Sequence, residues 1–442
     1  MYLKWLTWLI GTACFFLLAS IGYTHFDAKD SDGYIGSEAC QECHQSNYNS
    51  WKQTLHSKMF RPVKSPADIL GDFATPNPLV TFSKEEVKFV VGNKWEQVYA
   101  RKLDGEYYPL PAKWMITTQK WVSMNLTSEK DTPMSKTCNG CHTTGFQPET
   151  FEFKEFGIGC EACHGSGKRH TINRKKTNSP QCTVCHKNAV DTQDIIRSVD
   201  STVCGQCHSR GHSTTAQQQP VNFQFPLNYK PGTALPKNFI PLSLANDKKG
   251  KFWWGNGVAK NRHQEYADWQ NSGHSKSLIN LLTKKDHARG ERQDKCLVCH
   301  SADYRAAKDK ANRPTLETAQ QGITCVVCHN PHGKKSNHNM EPEGTATCAG
   351  CHIDSMAKSL KKTGKGHYPC PPGAPTCVGC HMPVIVKTGG TFTLHSHAFA
   401  IVTPKKAKEL GSPSSCQNAG CHLDRSEDWA IQSYKDFYGD KL

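Results

Sequence analysis

The chain has 442 residues, enough for two or three ordinary domains. Only 37% of its residues are hydrophobic, too few to build a conventional enzyme core from side chains alone, and its formal charge is +15. The charge raises nucleic-acid binding as a reading, which the cysteines and histidines then remove.

Residues 1–30 form the first segment. Residues 5–23, WLTWLIGTACFFLLASIGY, carry no charge and follow Lys4. A helix of this length can span a bilayer, and no clean small-residue cleavage site follows, so an uncleaved membrane anchor is preferred over a signal peptide. Cys14 does not read as a lipoprotein cysteine, because apolar residues continue well beyond it.

Residues 31–212 contain five copies of Cys-x-x-Cys-His: Cys40, Cys43 and His44; Cys138, Cys141 and His142; Cys160, Cys163 and His164; Cys182, Cys185 and His186; Cys204, Cys207 and His208. Between the first two copies lies a stretch without the motif, near 86–122. There, alternating residues at Val87–Val91, Trp95–Leu103 and Glu106–Leu110, with an Asp104-Gly105 turn, predict a small β-hairpin insertion. Residues 213–252 lack cysteine and are rich in proline, which reads as an extended connector. Residues 253–442 contain four more copies: Cys296, Cys299 and His300; Cys325, Cys328 and His329; Cys348, Cys351 and His352; Cys377, Cys380 and His381. The last, Cys416, Cys421 and His422, is widened by two residues.

A zinc ribbon or a thioredoxin-type pair places no histidine immediately after the second cysteine. Here one follows in all ten copies, so each reads as an attachment site for c-type haem. Two thiols bind the porphyrin and the histidine is the proximal iron ligand. Ten covalently bound haems are expected, consuming twenty of the 22 cysteines. They are too many for separate cores. The predicted fold is therefore a multihaem cytochrome c, mostly short α-helices and loops wrapped around stacked haems. Each ferric bis-histidine haem brings about one negative charge through its propionates, so the holoprotein is near neutral and no nucleic-acid partner is expected. Attachment of c-type haem also places the body outside the cytoplasmic membrane.

The two groups of five resemble copies of one plan. Tyr48-x-x-Trp51-x4-His56 matches Tyr266-x-x-Trp269-x4-His274, and Gly157-Ile158-Gly159-Cys160 matches Gly322-Ile323-Thr324-Cys325. On this register Cys138 matches Cys296, while Cys182 and Cys204 match Cys348 and Cys377.

Twelve histidines are not proximal, and eleven of them stand clear of the apolar segment beside His25. That supply is enough to close the sixth position of every iron, which favours electron transfer over catalysis. The best distal candidates are His56, His170, His274, His332 and His397. His212, His263, His287, His338, His367 and His395 have weaker contexts. Cys370 is left as a structural thiol. No catalytic residue is identified, and whether one iron stays open is undecided.

The strings Gly36-Ser37-Glu38-Ala39-Cys40, Cys138-Asn-Gly-Cys141-His142-Thr-Thr-Gly-Phe146, Gly157-Ile-Gly-Cys160-Glu-Ala-Cys163-His164-Gly165, Cys325-Val-Val-Cys328-His329-Asn-Pro-His332 and Cys377-Val-Gly-Cys380-His381-Met-Pro resemble multihaem c-type cytochromes related to the hydroxylamine oxidoreductase and tetrahaem nitrification cytochrome group. So do Val91-Gly-Asn-Lys-Trp95 and Ser396-His397-Ala-Phe399. The resemblance implies respiratory electron transfer in the periplasm or outside the cell. Redox partner proteins follow from it: a quinol-oxidising membrane complex, and a terminal reductase or surface cytochrome. The group also contains reductases of nitrite, hydroxylamine and sulfur oxyanions with one open iron. Its Cys-x-x-Cys-Lys variant is missing from this sequence. A subunit of an extracellular cytochrome filament is a third reading.

Overall fold

The computed structural model describes residues 33–171, 199–215, 221–283, 291–307, 309–333, 345–352, 377–418 and 422–439. The chain divides into two compact units: Gly36–Gly165 with Ile196–Leu442, and Met1–Ile35 with Ser166–Ile195. The large unit contains motifs of both groups. The apolar segment 5–23 lies outside the described residues, and among those described no helix is long and apolar enough to cross a membrane.

Among the described residues most helices are a single turn, and five of these coincide with cysteine motifs: Asn139–His142, Cys160–His164, Leu297–His300, Cys325–Cys328 and Cys377–His381. One turn is what the spacing demands, because it sets the two cysteines and the histidine at i, i+3 and i+4 on one face. The longer Glu38–Trp51 helix carries the first motif and breaks its helical geometry at His44.

The region without motifs is larger than the hairpin expected from the sequence. Five antiparallel strands lie in the order β1 (Phe60–Pro62), β2 (Phe89–Val91), β3 (Glu96–Leu103), β4 (Glu106–Met115) and β5 (Lys120–Ser123). The β3–β4 turn uses Asp104 and Gly105 with φ of 50° and 86°, the left-handed pair that suits the twist of a two-residue turn. The sheet's faces follow the twofold alternation of strands. One face buries Val90, Tyr99, Leu110, Trp114 and Trp121 against Ile69 and Phe82. The other turns Phe60, Val91, Ala100 and Tyr107 to Met134, with Cys138 and Phe156 packed alongside. The insertion is thereby fastened to the second cysteine motif.

The connector is extended, yet packed. Gly211–Ser213 pairs with Phe239–Pro241, and Phe223, Phe225 and Phe239 are buried. Elsewhere apolar clusters are small, such as Leu278, Leu281 and Leu297.

Candidate haem-binding site

Among the described residues no motif cysteine forms a disulfide. Cys182, Cys185, His186 and Cys421 lie outside the described residues, as do His25, His287, His338, His367 and Cys370.

The decisive geometry is in the histidines. An imidazole nitrogen holds a metal at about 2 Å and its ring centroid lies about 1 Å further, so two trans ligands of one iron have centroids about 6 Å apart. Among the described residues four pairs meet this spacing. His164 and His332 are 5.8 Å apart with planes at 6°. His329 and His397 are 6.0 Å apart at 31°. His56 and His208 are 6.5 Å apart at 73°, and His274 and His352 are 6.1 Å apart at 71°. In each pair one member follows a Cys-x-x-Cys and the other is one of the distal candidates. His170, the fifth of those, lies in the small unit.

Burial favours the neutral form that binds iron in His56, His274, His332 and His397. It pushes His56, His274 and His397 down to about 4, and His142 likewise. Hydrogen bonds at Nδ1 orient several rings so that Nε2 points away to a ligand. His300 Nδ1 lies 2.9 Å from the Ser277 carbonyl, His397 Nδ1 3.1 Å from that of His395, and His395 Nδ1 2.5 Å from that of Met382.

His263, only a weak candidate from its context, belongs to the same set. Its Nδ1 is 3.2 Å from the Cys207 carbonyl, and burial with the charge of Arg262 takes it down to about 3, with His142 close enough to add to the effect. His212 is exposed on the Gly211–Ser213 strand. At the widened motif the His422 ring rests 4.7 Å from Trp429.

The repeat is visible atom by atom. The Trp51 indole donates to the Ile158 carbonyl at 2.8 Å, and the Trp269 indole to that of Ile323 at 2.8 Å. The amides of Ile158 and Ile323 donate in turn to the carbonyls of His56 and His274, at 3.0 and 3.2 Å. Ser57 Oγ donates to Lys52 O at 2.9 Å and Ser275 Oγ to Gln270 O at 2.8 Å. Each distal histidine is thus tied to the backbone just before a different motif, Cys160 or Cys325. Because His56 faces His208 and His274 faces His352, the equivalent of Cys204 is Cys348. This corrects the register read from the sequence, which had paired Cys204 with Cys377.

Thiols of different motifs also meet. Cys40 is an electrostatic neighbour of Cys160, Cys204 of Cys325, and Cys348 of Cys377, each time first cysteine to first cysteine. Cys141 reaches Cys207 and Cys299 reaches Cys351, second to second. Cys163 sits in the field of Cys207, and Cys328 in that of Cys348 and Cys351. The Cys377–His381 helix packs on the Ser415–Asn418 helix that carries Cys416.

Two acidic residues that sequence reasoning missed lie on the Glu265–Asn271 helix. Asp268 accepts from the amides of Ala259 and His397 and from Ser396 Oγ, at 3.0, 3.2 and 3.2 Å, which holds the His397 loop. Glu265 Oε1 accepts from the His263 amide at 3.2 Å, and its Oε2 is 3.5 Å from His208 Nδ1. Burial alone would lower His208 and raise Glu265. Their mutual attraction outweighs burial in both and takes His208 up to about 9 and Glu265 down to about 2.

The residues therefore fit c-type haem: paired thiols one turn apart, an adjacent histidine, and a second imidazole at the spacing of a trans ligand. Comparison with known proteins agrees. The family of cytochrome c554 and c-prime matches residues 39–71, 112–165 and 260–330, and the doubled CXXCH motif matches 317–357. The multihaem cytochrome MtrA of Shewanella baltica (strain OS185) is 25% identical over 129 residues, which are 29% of this chain and 35% of that protein; the match spans about a third of that curated relative. The crystal structure of the outer cell wall cytochrome OcwA is 30% identical, with a TM-score of 0.74 over 91% of this chain and 86% of that one. An undecahaem cytochrome from the S-layer of Carboxydothermus ferrireducens shares the fold at 19% identity and a TM-score of 0.51, over 92% of this chain and 60% of that one. These matches do not single out the hydroxylamine oxidoreductase and nitrification group that the sequence strings suggested. The chain belongs to the multihaem c-type cytochromes with paired CXXCH motifs, and carries covalently bound haem c.

Proposed function

We propose that this cytochrome is an electron conductor with ten haems, most or all closed by two histidines. The observation that carries this reading is the pairing of four motif histidines with four second imidazoles whose ring centroids lie 5.8 to 6.5 Å apart, with neighbouring motifs close enough for their cysteines to interact electrostatically. The motifs at Cys160, Cys204, Cys325 and Cys348 each turn the first cysteine towards one neighbouring motif and the second towards another. The order Cys40, Cys160, Cys204, Cys325, Cys348, Cys377, Cys416 follows as a line. The motifs at Cys138 and Cys296 branch from it at Cys207 and Cys351. A bis-histidine haem supplies one-electron chemistry with both axial positions filled. The chain's own residues keep successive attachment sites in contact and hold the second imidazole against the neighbouring site.

Several finer points belong to the same proposal. The protein works in the periplasm or outside the cell, with residues 5–23 as its export signal or anchor. It takes electrons from a membrane complex that oxidises quinol, and gives them to a terminal reductase or surface cytochrome. The domain limits at 31–212, 213–252 and 253–442 are kept as units of the duplicated sequence. The mass of the purified protein tests the haem count, and electron paramagnetic resonance tests the closed irons. Low-spin ferric signals alone are expected in the oxidised protein. A stoichiometric high-spin signal would overturn the conductor in favour of a reductase.

A further inference from the structure

Among the positions where the two repeats differ in charge, one falls at a branch point. Glu265 directly precedes the Tyr266-x-x-Trp269 pattern, and the first copy has Asn47 in that place. The scaffold therefore accepts a neutral amide where the second copy has a carboxylate.

The carboxylate of Glu265 is placed between ligands of different sites. Its Oε2, buried and without a full hydrogen bond, is 3.5 Å from Nδ1 of His208. Its Oε1 accepts from the amide of His263. His397 is also within its electrostatic reach. The nearby cations are Arg210 and Arg262, and Arg262 is already bonded to Glu96, which also binds Lys113. Facing Nδ1 of a proximal histidine, an acceptor carboxylate makes the ring a stronger donor to iron, and its charge favours the ferric state.

We propose that Glu265 is a positioning residue that sets the potential of the haem at Cys204–Cys207, holding this branch-point haem lower than a neutral side chain would. The inference rests on the conductor reading. The electron reaching that iron converts Fe(III) to Fe(II), and it is this one-electron equilibrium that Glu265 opposes.

The test uses the full-length holoprotein as wild type, E265Q and E265D, titrated potentiometrically with the visible haem bands as readout. In E265Q the haem content and low-spin signals should match wild type, while one component shifts towards reduction at least tenfold, or 59 mV for one electron. E265D, whose charge is withdrawn by one methylene, should shift the same component less. Superimposable titrations would overturn the role of Glu265 while the irons stay low-spin. High-spin iron in the wild type would instead overturn the conductor reading. Should E265Q fail to take up its haem, E265D decides alone: an unchanged titration defeats the proposal.

Discussion

Replacing His332 with alanine removes the ring that faces His164 from 5.8 Å, and the consequence can be worked out from the ring planes. Near-parallel axial imidazoles give a rhombic low-spin signal. Near-perpendicular ones give a more axial signal with a large principal g value. The planes at 6° and 31° place the Cys160 and Cys325 sites in the first class, and those at 73° and 71° place the Cys204 and Cys348 sites in the second. In H332A one iron should become high-spin, one of the ten motif sites, and rhombic intensity should fall by one haem while the large-g signals stay. H274A should do the reverse, taking one haem from the large-g signals. The assay is quantitative electron paramagnetic resonance on the oxidised protein, with haem content measured in parallel. Loss of large-g intensity in H332A, or no high-spin signal at all, would refute the pairing deduced from ring spacing.

Three further outcomes follow from the scaffold. W269F loses the indole bond to Ile323 and leaves that carbonyl without its donor, costing about 1–3 kcal/mol, to be read as a lower thermal midpoint in the Soret band. W51F should behave alike through Ile158. G157A puts a side chain at φ +78° with its Cβ 2.9 Å from the Ser57 carbonyl, so a loss of at least about 1–2 kcal/mol is expected, with weaker retention of the His56 ligand. E96Q breaks the bonds from Lys113, at 2.7 Å, and from Arg262. Glu96 is buried but Arg262 is over a third exposed, so the cost should be about 2 kcal/mol in chemical denaturation, below that of a fully buried pair.

The attachment chemistry was legible because adjacency of cysteine and histidine in sequence is adjacency on one helical turn. Four of the distal candidates, His56, His274, His332 and His397, sit in short strings that recur, and the structure sets each against a motif histidine. His263 was not legible in this way, since its value comes from a fold that brings it beside Cys207, 56 residues away. Glu265 and Asp268 read as ordinary polar residues of a short helix, and nothing local announces that both face histidine ligands or their backbone. The strands show the same division. The strand expected from the sequence ends at Leu110, yet β4 runs on to Met115. A bulge in β4, which sets Leu110, Pro111 and Ala112 opposite the single residue Tyr99 of β3, lets the ladder pass over Pro111. Sheet partners, like iron ligands, are set by residues that sequence distance hides.

On the proposed reading, the duplication accounts for a line of attachment sites with branches. Within one motif the two thiols stand a turn apart, so a single helix can contact two neighbours without any change of shape. At Cys207 and at Cys351 the second thiol meets the second cysteine of an earlier motif, and both copies branch at the same place. The ring angles agree between copies as well, 73° against 71°, because the same tryptophan-to-carbonyl tie fixes the same distal histidine. Such agreement would be hard to keep if only one half carried electrons, since ligand orientation matters little to the fold once the imidazole is bound. What the copies do not share is charge. Glu265 against Asn47, and Asp268 against Ser50, put two carboxylates on one tryptophan-bearing segment and none at those positions on the other. A symmetric scaffold with asymmetric charge is a way to give equivalent haem sites unequal potentials, and so to give a line of like sites a direction.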